Sequence, residues 1–298
     1  MKERKLRRIG LLSSIAFWGV SLRQNSEHIS MLQNNKKPLK EIIELVFALI
    51  YAMYLAVIRK NTSQVVLYYH GIDKANIAAF RKQMAYLASE CIVVKPSKIK
   101  TTEKNEGKCM VAITFDDAFL SVVENAVPIL REYELSAGIF VPVDNLGQKP
   151  RWQIPENCPD KDEIVMTKEQ IAELDKEGFE IFSHTLSHPV LTRIEDGRLQ
   201  AELVESKQAL EEIVGHEVLG ISYPHGACDA RVREVARKAG YKLGFTIEPS
   251  IVDTGTDDLR IGRFSVSPTD SFIKFMLKVS GGYQVLKYLR KPGRIIAT

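Results

Sequence analysis

The chain has 298 residues, of which 45% are hydrophobic and 26% are charged, and its formal net charge is +4. This is ordinary globular composition, and the length allows one domain of about 230 residues with an N-terminal extension, or two small domains. The mild basic excess gathers toward the two ends without a nucleic-acid motif, so we predict neither a nucleic-acid partner nor a protein partner. Four scattered cysteines form no C-x-x-C pair, which argues against a zinc ribbon or a thioredoxin motif.

Two apolar stretches precede the main domain. The first, residues 9–20, follows a basic run and is similar to the start of a signal sequence, but no cleavage site follows it. The second, residues 42–58, contains one charged residue, Glu44, and its length is at the lower limit for spanning a bilayer. An amphipathic helix that docks on the core is the alternative interpretation of the second stretch.

These stretches predict a membrane-associated extension over residues 1–60. If only the second stretch spans the membrane, the cations that flank it place the rest of the chain on the extracytoplasmic side. If both stretches span it, the main domain returns to the cytoplasmic face. We expect the extracytoplasmic arrangement.

From residue 64 onward, predicted strands and helices alternate. The predicted strands cover residues 64–70, 110–115, 137–141, 179–183, 218–223 and 241–247. The predicted helices cover residues 77–89, 119–133 and 199–214, a segment from the cap Thr167 to Gly178, and a segment from the cap Asp229 to Gly240. Residues 144–165 predict a long surface loop. Residues 271–288 predict a helix that packs on the main domain or, as the alternative, lies on a membrane surface.

Strands that alternate with helices imply a parallel sheet. Polar residues follow the ends of the predicted strands, namely His70, Asp116, Asp117, His184 and His225. In α/β barrels and open α/β sheets, the carboxyl edge of the strands is where active sites lie. The sequence therefore predicts an active site at this edge.

Two adjacent carboxylates, Asp116 and Asp117, follow an apolar strand, where burying both is expensive without a cation or hydrogen-bond donors. A helix cap explains one of them, but two suggest two different roles. His184 and His188 are spaced i and i+4, so they meet on one face if the segment turns helically. Asp117 and the two histidines then form a set of three ligands with an open fourth position, which is typical of a catalytic zinc-type site.

The same ligands would suit a non-haem iron oxygenase. The second carboxylate, Asp116, favours hydrolysis instead, because it can act as general base on a metal-bound water. The default ion for this ligand set is Zn²⁺, with Co²⁺, Ni²⁺ and Fe²⁺ as alternatives.

Three segments resemble the motifs of a known family. Residues 114–118 (TFDDA) look like its first motif, with Ala118 in place of glycine, and residues 183–189 (SHTLSHP) look like its second. Residues 223–226 (YPHG) resemble its third motif. By these motifs, the chain is identified over roughly residues 65–264 as a member of the polysaccharide deacetylases, carbohydrate esterase family 4 or the NodB homology domain.

The resemblance implies a fold and a set of domain limits. The fold would be α/β, a distorted and incomplete (β/α) barrel with the N-terminal apolar helical extension. The predicted catalytic domain covers residues 61–270, and a basic C-terminal helix or tail covers residues 271–298. In the site, Asp116 would be the general base. The divalent metal would be bound by Asp117, His184 and His188.

The third motif is expected to contact the substrate. The resemblance implies that a backbone N–H of this motif, from Tyr223 or His225, helps to hold the oxyanion. Pro224 and Gly226 are assigned to substrate binding with Tyr223. Trp152, in the proline-rich loop, is a candidate for stacking on a sugar ring.

Two departures from the family pattern matter. Ser222 occupies the position where the third motif normally has the arginine that orients the base, so Arg260 or Arg263 is expected to supply the guanidinium; we assign the role to Arg263. No histidine follows His225, so the late histidine that acts as general acid in the family is absent. His70 and His225 are the two candidates for the general acid.

The predicted function is metal-dependent N-deacetylation of an amino sugar in a polysaccharide or glycolipid of the cell envelope, with Asp116 activating the water. The protein would then be a hydrolase of carbon–nitrogen bonds other than peptide bonds, acting on a polymeric or lipid-linked substrate. One alternative keeps the scaffold but changes the reaction to O-acetyl ester hydrolysis or deformylation. The other is a degenerate carbohydrate-binding domain without activity, which Ser222 and the missing late histidine favour.

Overall fold

The structure is a computed structural model, and it describes residues 39–56, 63–102, 107–155 and 158–289. The first predicted apolar stretch, residues 9–20, lies outside the described residues. The second stretch is described up to residue 56, where it forms helix α1 (residues 39–56). Within the described ranges, no helix is both long enough and apolar enough to cross a bilayer.

The contact pattern divides the chain between Val46 and Phe47, and only the first turns of α1 are described in the unit before that point. In the larger unit, the remainder of α1 buries Ala48 and Leu55. The amide of Gln284 donates to the hydroxyl of Tyr51 at 3.2 Å, which connects α1 to the C-terminal part of the same unit.

The larger unit is an α/β structure. Its strands are β1 (Gln64–Tyr69), β2 (Cys91–Val93), β3 (Cys109–Phe115), β4 (Gly138–Val141), β5 (Glu180–Ser183), β6 (Gly220–Ser222), β7 (Leu243–Phe245) and β8 (Phe264–Ser265). Its helices after α1 are α2 (Ile77–Glu90), α3 (Val127–Glu132), α4 (Lys168–Lys176), α5 (Asp196–Val214), α6 (Ala230–Lys238), α7 (Phe272–Val279) and α8 (Val285–Leu289).

The eight strands form one sheet in the order β7-β6-β5-β4-β3-β1-β8, and β2 pairs with the first half of β3. Every pairing between named strands is parallel, so the carboxyl ends of the strands lie at one edge. Both central strands, β1 and β3, are buried along almost their whole length, as expected where helices cover a parallel sheet. The sheet curls into a half-barrel surrounded by helices, which confirms the predicted incomplete barrel.

Aromatic side chains fill the inside of the curl. Phe182 on β5 packs against Phe140 and Phe245, with ring centroids 5.3 and 6.0 Å away. The neighbouring strands carry glycine where Phe182 approaches: a Cβ on Gly138 would lie 3.0 Å from its ring, and one on Gly220 would lie 2.8 Å from it. Phe182 therefore fills the core of the half-barrel.

Local capping signals in the sequence predicted helix ends correctly. Thr167 and Gln170 form the expected capping box of α4, and Asp229 caps α6. Gly215 ends α5 in the left-handed conformation, with φ of 78°. Each signal depends on residues within one turn of the helix end, which explains why the sequence alone was sufficient.

Two predicted helices differ in detail from the structure, and two short strands were not predicted. The predicted helix over residues 119–133 is a π-helical turn, Val122–Ala126, followed by α3, because Pro128 has no N–H to continue the regular ladder. The predicted helix over residues 271–288 breaks at Gly281, where φ is 78°, and continues as α8. The sequence analysis missed β2 and β8, since three and two residues are too short to show a periodic pattern.

Candidate active site

The ends of β3 and β5 deliver the acidic and histidine side chains to the carboxyl edge. The backbone N–H of Asp116 donates to the carbonyl of Tyr69 at 2.9 Å, so Asp116 continues the ladder of β3 beside β1. The next two residues then adopt left-handed conformations, with φ of 68° at Asp117 and 49° at Ala118. This turn separates the two carboxylates, so that each contacts a different group of residues.

Asp117, His184 and His188 converge on one point. Asp117 Oδ1 lies 3.5 Å from His184 Nε2 and 3.4 Å from His188 Nε2, and the three candidate ligand atoms lie within 4.8 Å of one another. Bonds of about 2.0 Å to a tetrahedral ion would place neighbouring ligand atoms roughly 3.3 Å apart. The three buried side chains therefore fit a tetrahedral divalent metal ion such as zinc.

Two further observations support this fit. Among the described residues, Asp117 Oδ1 is one of two buried side-chain polar atoms without a hydrogen-bond partner, so a cation would satisfy it. His184 Nδ1 lies 2.8 Å from the carbonyl of Ser222, which requires the proton on Nδ1 and leaves the lone pair of Nε2 for the metal.

The loop between the two histidines does not turn helically, so the condition on which the i, i+4 spacing would place them on one face is not met. Thr185 and His188 have left-handed conformations with φ of 69° and 59°. The hydroxyl of Thr185 accepts the backbone N–H of His188 at 3.1 Å, inside the loop. The rings of His184 and His188 still meet edge to face, with centroids 4.8 Å apart, but two left-handed residues bring them together.

Burial controls the charge of this ligand set. Burial raises the pKa of Asp117 well above its usual value, and the nearby carboxylates of Asp116 and Asp160 raise it further. Burial also lowers the pKa of His184 to about 4, and it lowers that of His188 well below the usual range. Both imidazoles are therefore neutral at neutral pH, the form that binds metal ions.

Asp116 is held by an arginine. Arg263 Nη1 donates to Asp116 Oδ1 at 2.6 Å and Nη2 donates to Oδ2 at 2.8 Å, and the arginine is fully buried. Burial raises the pKa of Asp116, but the opposing effect of Arg263, joined by His184, leaves the pKa below the usual carboxyl value. Asp116 is therefore ionised at neutral pH.

Of the two arginines considered from the sequence, Arg263 contacts Asp116 and Arg260 does not. Arg260 is half exposed and pairs with Glu248 at 2.9 Å. Ser222 accepts a hydrogen bond from Arg263 Nη2 at 2.7 Å. Ser222, at the position where the family has its arginine, thus contacts the guanidinium of Arg263, which directly precedes β8.

Asp116, Asp117, His184 and His188 line an open cavity of about 140 Å³. Both candidate acids lie in its wall: His70 Nε2 is 4.0 Å from Asp117 Oδ2, and the ring of His225 contacts that of His188 at 4.8 Å. Burial, with a contribution from Arg193, lowers the pKa of His225. The apolar part of the wall is formed by Phe119, Trp152, Ile154, Pro155 and Ile247.

Trp152 lies in the cavity wall, as expected for a residue that contacts substrate. However, its ring stacks on His188 with centroids 4.5 Å apart and an angle of 26°, and it also lies nearly parallel to Phe119 at 6.4 Å. The ring that the sequence assigned to a sugar therefore already packs against a candidate metal ligand.

The third-motif residues assigned to substrate do not line the cavity, and this is a correction. Tyr223 is fully buried, its hydroxyl donates to Leu259 O at 3.0 Å, and its backbone N–H donates to Phe245 O. Pro224 is buried, and Gly226 has φ of 66° where a Cβ would meet Ile247 at 2.4 Å. These three residues shape the turn that presents His225, which is itself left-handed with φ of 56°.

Asp160 is a cavity residue that the sequence analysis missed. It belongs to the proline-rich loop, where no periodicity indicates which residue returns to the sheet. Burial raises the pKa of its carboxyl group, and His70 partly opposes this effect. A carboxylate beside His70 could be recognised only from the path of the loop.

At the carboxyl edge of the half-barrel, a buried carboxylate–arginine pair lies beside a set of three candidate metal ligands. A comparison with protein families shows which class this arrangement resembles, since residues 103–244 match the family described as polysaccharide deacetylase. Over these residues, the chain resembles this family. The prediction of a hydrolase acting on carbon–nitrogen bonds other than peptide bonds is confirmed at the level of the family.

Similar proteins agree with this match. The chain is 26% identical over 260 residues to a poly-β-1,6-N-acetyl-D-glucosamine N-deacetylase of Staphylococcus aureus, which covers 75% of this chain and 85% of that protein. The Streptococcus pyogenes deacetylase PplD, solved with acetate, superposes with a TM-score of 0.61 at 21% identity, over 74% of this chain and 98% of that one. IcaB from Ammonifex degensii gives a TM-score of 0.61 at 24% identity, over 75% and 97%. At these identities, the two structures establish the fold.

Proposed function

We propose that the protein removes the N-acetyl group from an amino sugar of a cell-envelope polysaccharide or glycolipid. The observation that carries the proposal is the pairing of an ionised, arginine-bound Asp116 with the buried Asp117–His184–His188 set in one cavity. The match to the polysaccharide deacetylase family and the name of the Staphylococcus aureus relative support the choice of reaction.

In this proposal Asp116 accepts a proton from the water that attacks the acetyl carbon. The guanidinium of Arg263 occupies one lone pair on each carboxylate oxygen and fixes the orientation of the carboxylate. A lone pair remains for the water, and the lowered pKa keeps Asp116 in its basic form.

Asp117, His184 and His188 would hold a divalent metal, and Zn²⁺ is the default choice for these ligands. When bound, the ion would supply Lewis-acid polarisation of the acetyl carbonyl and would make the attacking water more acidic. Co²⁺, Ni²⁺ and Fe²⁺ suit the same residues and remain part of the proposal.

The backbone N–H of His225 is assigned to the carbonyl oxygen as negative charge develops there, because the N–H of Tyr223 already donates to Phe245 O. As the carbon–nitrogen bond breaks, the departing nitrogen takes a proton, and we assign the donor to His70. The lowered pKa of His225 leaves it less protonated at neutral pH, so it is the weaker candidate. The products are acetate and a free amino sugar.

The alternative of a degenerate, non-catalytic domain rested partly on Ser222. The contact between Arg263 and Asp116 removes that argument, since the base has its guanidinium from another strand. No observation favours ester hydrolysis or deformylation over deacetylation, so the test must distinguish these reactions from deacetylation.

The test uses the full chain, elemental analysis for bound metal and an assay of acetate release from N-acetylglucosamine oligomers. Wild type is compared with Asp116→Asn and His184→Ala. We expect near-stoichiometric metal in wild type and in Asp116→Asn, loss of metal in His184→Ala, and a roughly 10²–10⁴-fold loss of acetate release in Asp116→Asn. Metal without acetate release would indicate a formyl or ester substrate. A folded wild type that binds no metal would contradict the proposal.

We further propose that α1 lies on a membrane surface, with the site on the extracytoplasmic side next to a polymeric or lipid-linked substrate. Support comes from the exposed apolar side chains of α1, which include Phe47, Ile50, Met53 and Tyr54.

Wild type should co-sediment with anionic lipid vesicles, and Ile50→Glu/Met53→Glu should not. Ile164→Glu, which changes an exposed apolar residue elsewhere, is the control. Equal sedimentation of all three proteins would refute the proposal, and protease added to sealed vesicles of known orientation tests the side.

A further inference from the structure

The loop that connects the two metal-binding histidines is held in an unfavourable backbone conformation. Thr185 and His188 are both left-handed without being glycine, which costs free energy at each position. His188 Nε2 nevertheless lies 3.4 Å from Asp117 Oδ1. Something outside the loop must therefore stabilise this conformation.

Glu202, on α5, lies outside the loop and accepts three hydrogen bonds from it. Its Oε2 accepts the backbone N–H of Leu186 at 3.1 Å and that of Ser187 at 2.9 Å. Its Oε1 accepts the hydroxyl of Ser187. Glu202 is 4% exposed. Arg198 pairs with its Oε1 at 3.7 Å, but the side chain of this arginine is more than half exposed.

The position of Glu202 on α5 is unusual for a carboxylate. It lies on the buried face of the helix with Leu199, Leu203 and Ser206. A buried carboxylate is costly unless hydrogen bonds compensate for the lost hydration, and here the compensation comes from the loop. The same helix anchors the other side of the loop, because Ser183 donates to Ser206 Oγ at 3.0 Å.

We propose that Glu202 is a positioning residue that sets the metal affinity of the site. It fixes residues 185–188 in the conformation that brings Nε2 of His188 to Asp117, and it does so without touching the ion or the substrate. The inference rests on the proposed function in one respect, namely that the Asp117–His184–His188 set binds a divalent metal.

The direct test is Glu202→Gln in the full chain. Glutamine has the same shape, but its amide group presents N–H where the loop also presents donors, so at least one of the three hydrogen bonds is lost. The matched control is Glu205→Gln, on the exposed face of the same helix. Zn²⁺ affinity is measured by competition with a chromophoric chelator, and thermal unfolding of the metal-free proteins is measured in parallel.

A second readout comes from fluorescence. The chain has two tryptophans, and in a Trp18→Phe background the signal comes from Trp152, whose ring stacks on His188 at 4.5 Å. Zn²⁺ bound through His188 changes the surroundings of this ring. The zinc titration of Trp152 fluorescence therefore reports the state of the loop in the absence of any substrate.

We expect Glu202→Gln to weaken Zn²⁺ binding by about 10- to 100-fold, and Glu205→Gln to leave it unchanged. Ser187→Ala removes one of the three hydrogen bonds at a partly exposed residue, and we expect it to weaken binding by about 3- to 10-fold. If Glu202→Gln fails to fold, the Zn²⁺ affinity of Ser187→Ala tests the positioning role instead.

The outcomes separate the two proposals. Wild-type affinity in a folded Glu202→Gln, or in Ser187→Ala if that variant alone folds, overturns the positioning role while the metal site stands. If wild type itself binds no Zn²⁺, the proposed function fails first. A loss of affinity in both variants while Glu205→Gln is unaffected supports the positioning role.

Discussion

At the scale of single residues, the site separates two neighbouring carboxylates by their surroundings. Asp116 has a buried guanidinium on both oxygens and a lowered pKa. Asp117 has two neutral imidazoles beside it and a raised pKa. Opposite shifts in adjacent acids are the pattern expected when one carboxylate acts as a base and the other requires a cation.

Asp117→Asn should stabilise the metal-free protein. The folded-state pKa of Asp117 is raised, so its contribution to stability is present at low pH and is lost as the pH rises above the usual carboxyl pKa of 3.8. An amide has no such charge to bury, and we expect a gain of about 1–3 kcal/mol in the free energy of unfolding at pH 7.5. Urea denaturation in the presence of a chelator measures it.

The pH dependence of Asp117→Asn and its response to Zn²⁺ test the same prediction. The gain should shrink as the pH approaches 4, and added Zn²⁺ should no longer stabilise the protein. A metal-free Asp117→Asn that is less stable than wild type at neutral pH would contradict the assignment of Asp117 as a buried, uncompensated carboxylate.

Arg263→Lys should move the acidic limb of the pH–activity profile to higher pH. A lysine lacks the planar pair of nitrogens that matches both oxygens of Asp116, so the pKa of Asp116 rises and the base becomes protonated at a higher pH. We expect kcat/KM at neutral pH to fall about 10- to 100-fold. The profile of kcat/KM between pH 4 and 9 measures both effects.

The control for this prediction is Arg260→Lys, since Arg260 pairs with Glu248 outside the cavity. It should leave the profile unchanged. An unshifted acidic limb in Arg263→Lys would show that Arg263 does not set the pKa of Asp116.

At the scale of elements, glycines on two strands of the sheet leave room for one large side chain. Phe182 on β5 occupies the core where β4 and β6 carry Gly138 and Gly220. Gly220→Ala would bring a Cβ to 2.8 Å from the ring of Phe182, and we expect a loss of about 1–3 kcal/mol in the free energy of unfolding.

Phe182→Leu in the Gly220→Ala background should recover part of this loss, because a smaller side chain relieves the contact. Urea unfolding of the two single variants and the double variant forms the cycle. Additive effects would indicate that the loss in Gly220→Ala has a cause other than the contact with Phe182.

Elements also differ in how well local sequence predicts them. The caps of α4 and α6 and the left-handed end of α5 were all predicted, because each is stabilised by residues within a few positions. The spacing of His184 and His188 would bring them to one face if the loop between them were helical. The loop is not helical, and its backbone N–H groups donate to Glu202 on the following helix instead.

At the scale of the whole molecule, a metal ion would connect the ends of β3 and β5. Zn²⁺ should therefore raise the melting temperature of wild type by roughly 10 °C when its concentration is about 1,000 times the dissociation constant. Removal with a chelator should reverse the shift, as followed by circular dichroism. His184→Ala should show no shift, and an equal shift in this variant would place the ion elsewhere.

As the pH falls from 6.5 toward 4, metal-free wild type should lose more stability than metal-free His184→Ala. The pKa of His184 is about 4 in the folded protein against its usual value of 6.5, so the unfolded chain takes up the proton first. This histidine contributes about 3 kcal/mol to the loss. Denaturation of wild type and His184→Ala over this pH range measures it, and parallel curves would contradict the prediction.

The sequence by itself determined the strand–helix alternation, the parallel sheet, most helix ends and the residues at the strand ends, whereas the incomplete barrel was implied by the resemblance of three motifs to a family. These features depend on burial pattern and on short-range capping, which are visible in a single stretch of chain. It also named Asp116, Asp117, His184 and His188, because polar residues that follow buried strands stand out against their neighbours.

Only the tertiary structure decided which groups complete the site. Arg263 and not Arg260 reaches Asp116, across 147 positions of sequence, because β8 pairs with β1 beside β3. Tyr223 is turned into the core, and Asp160 is brought into the cavity by an irregular loop. These contacts depend on strand order and loop path, which no local pattern encodes.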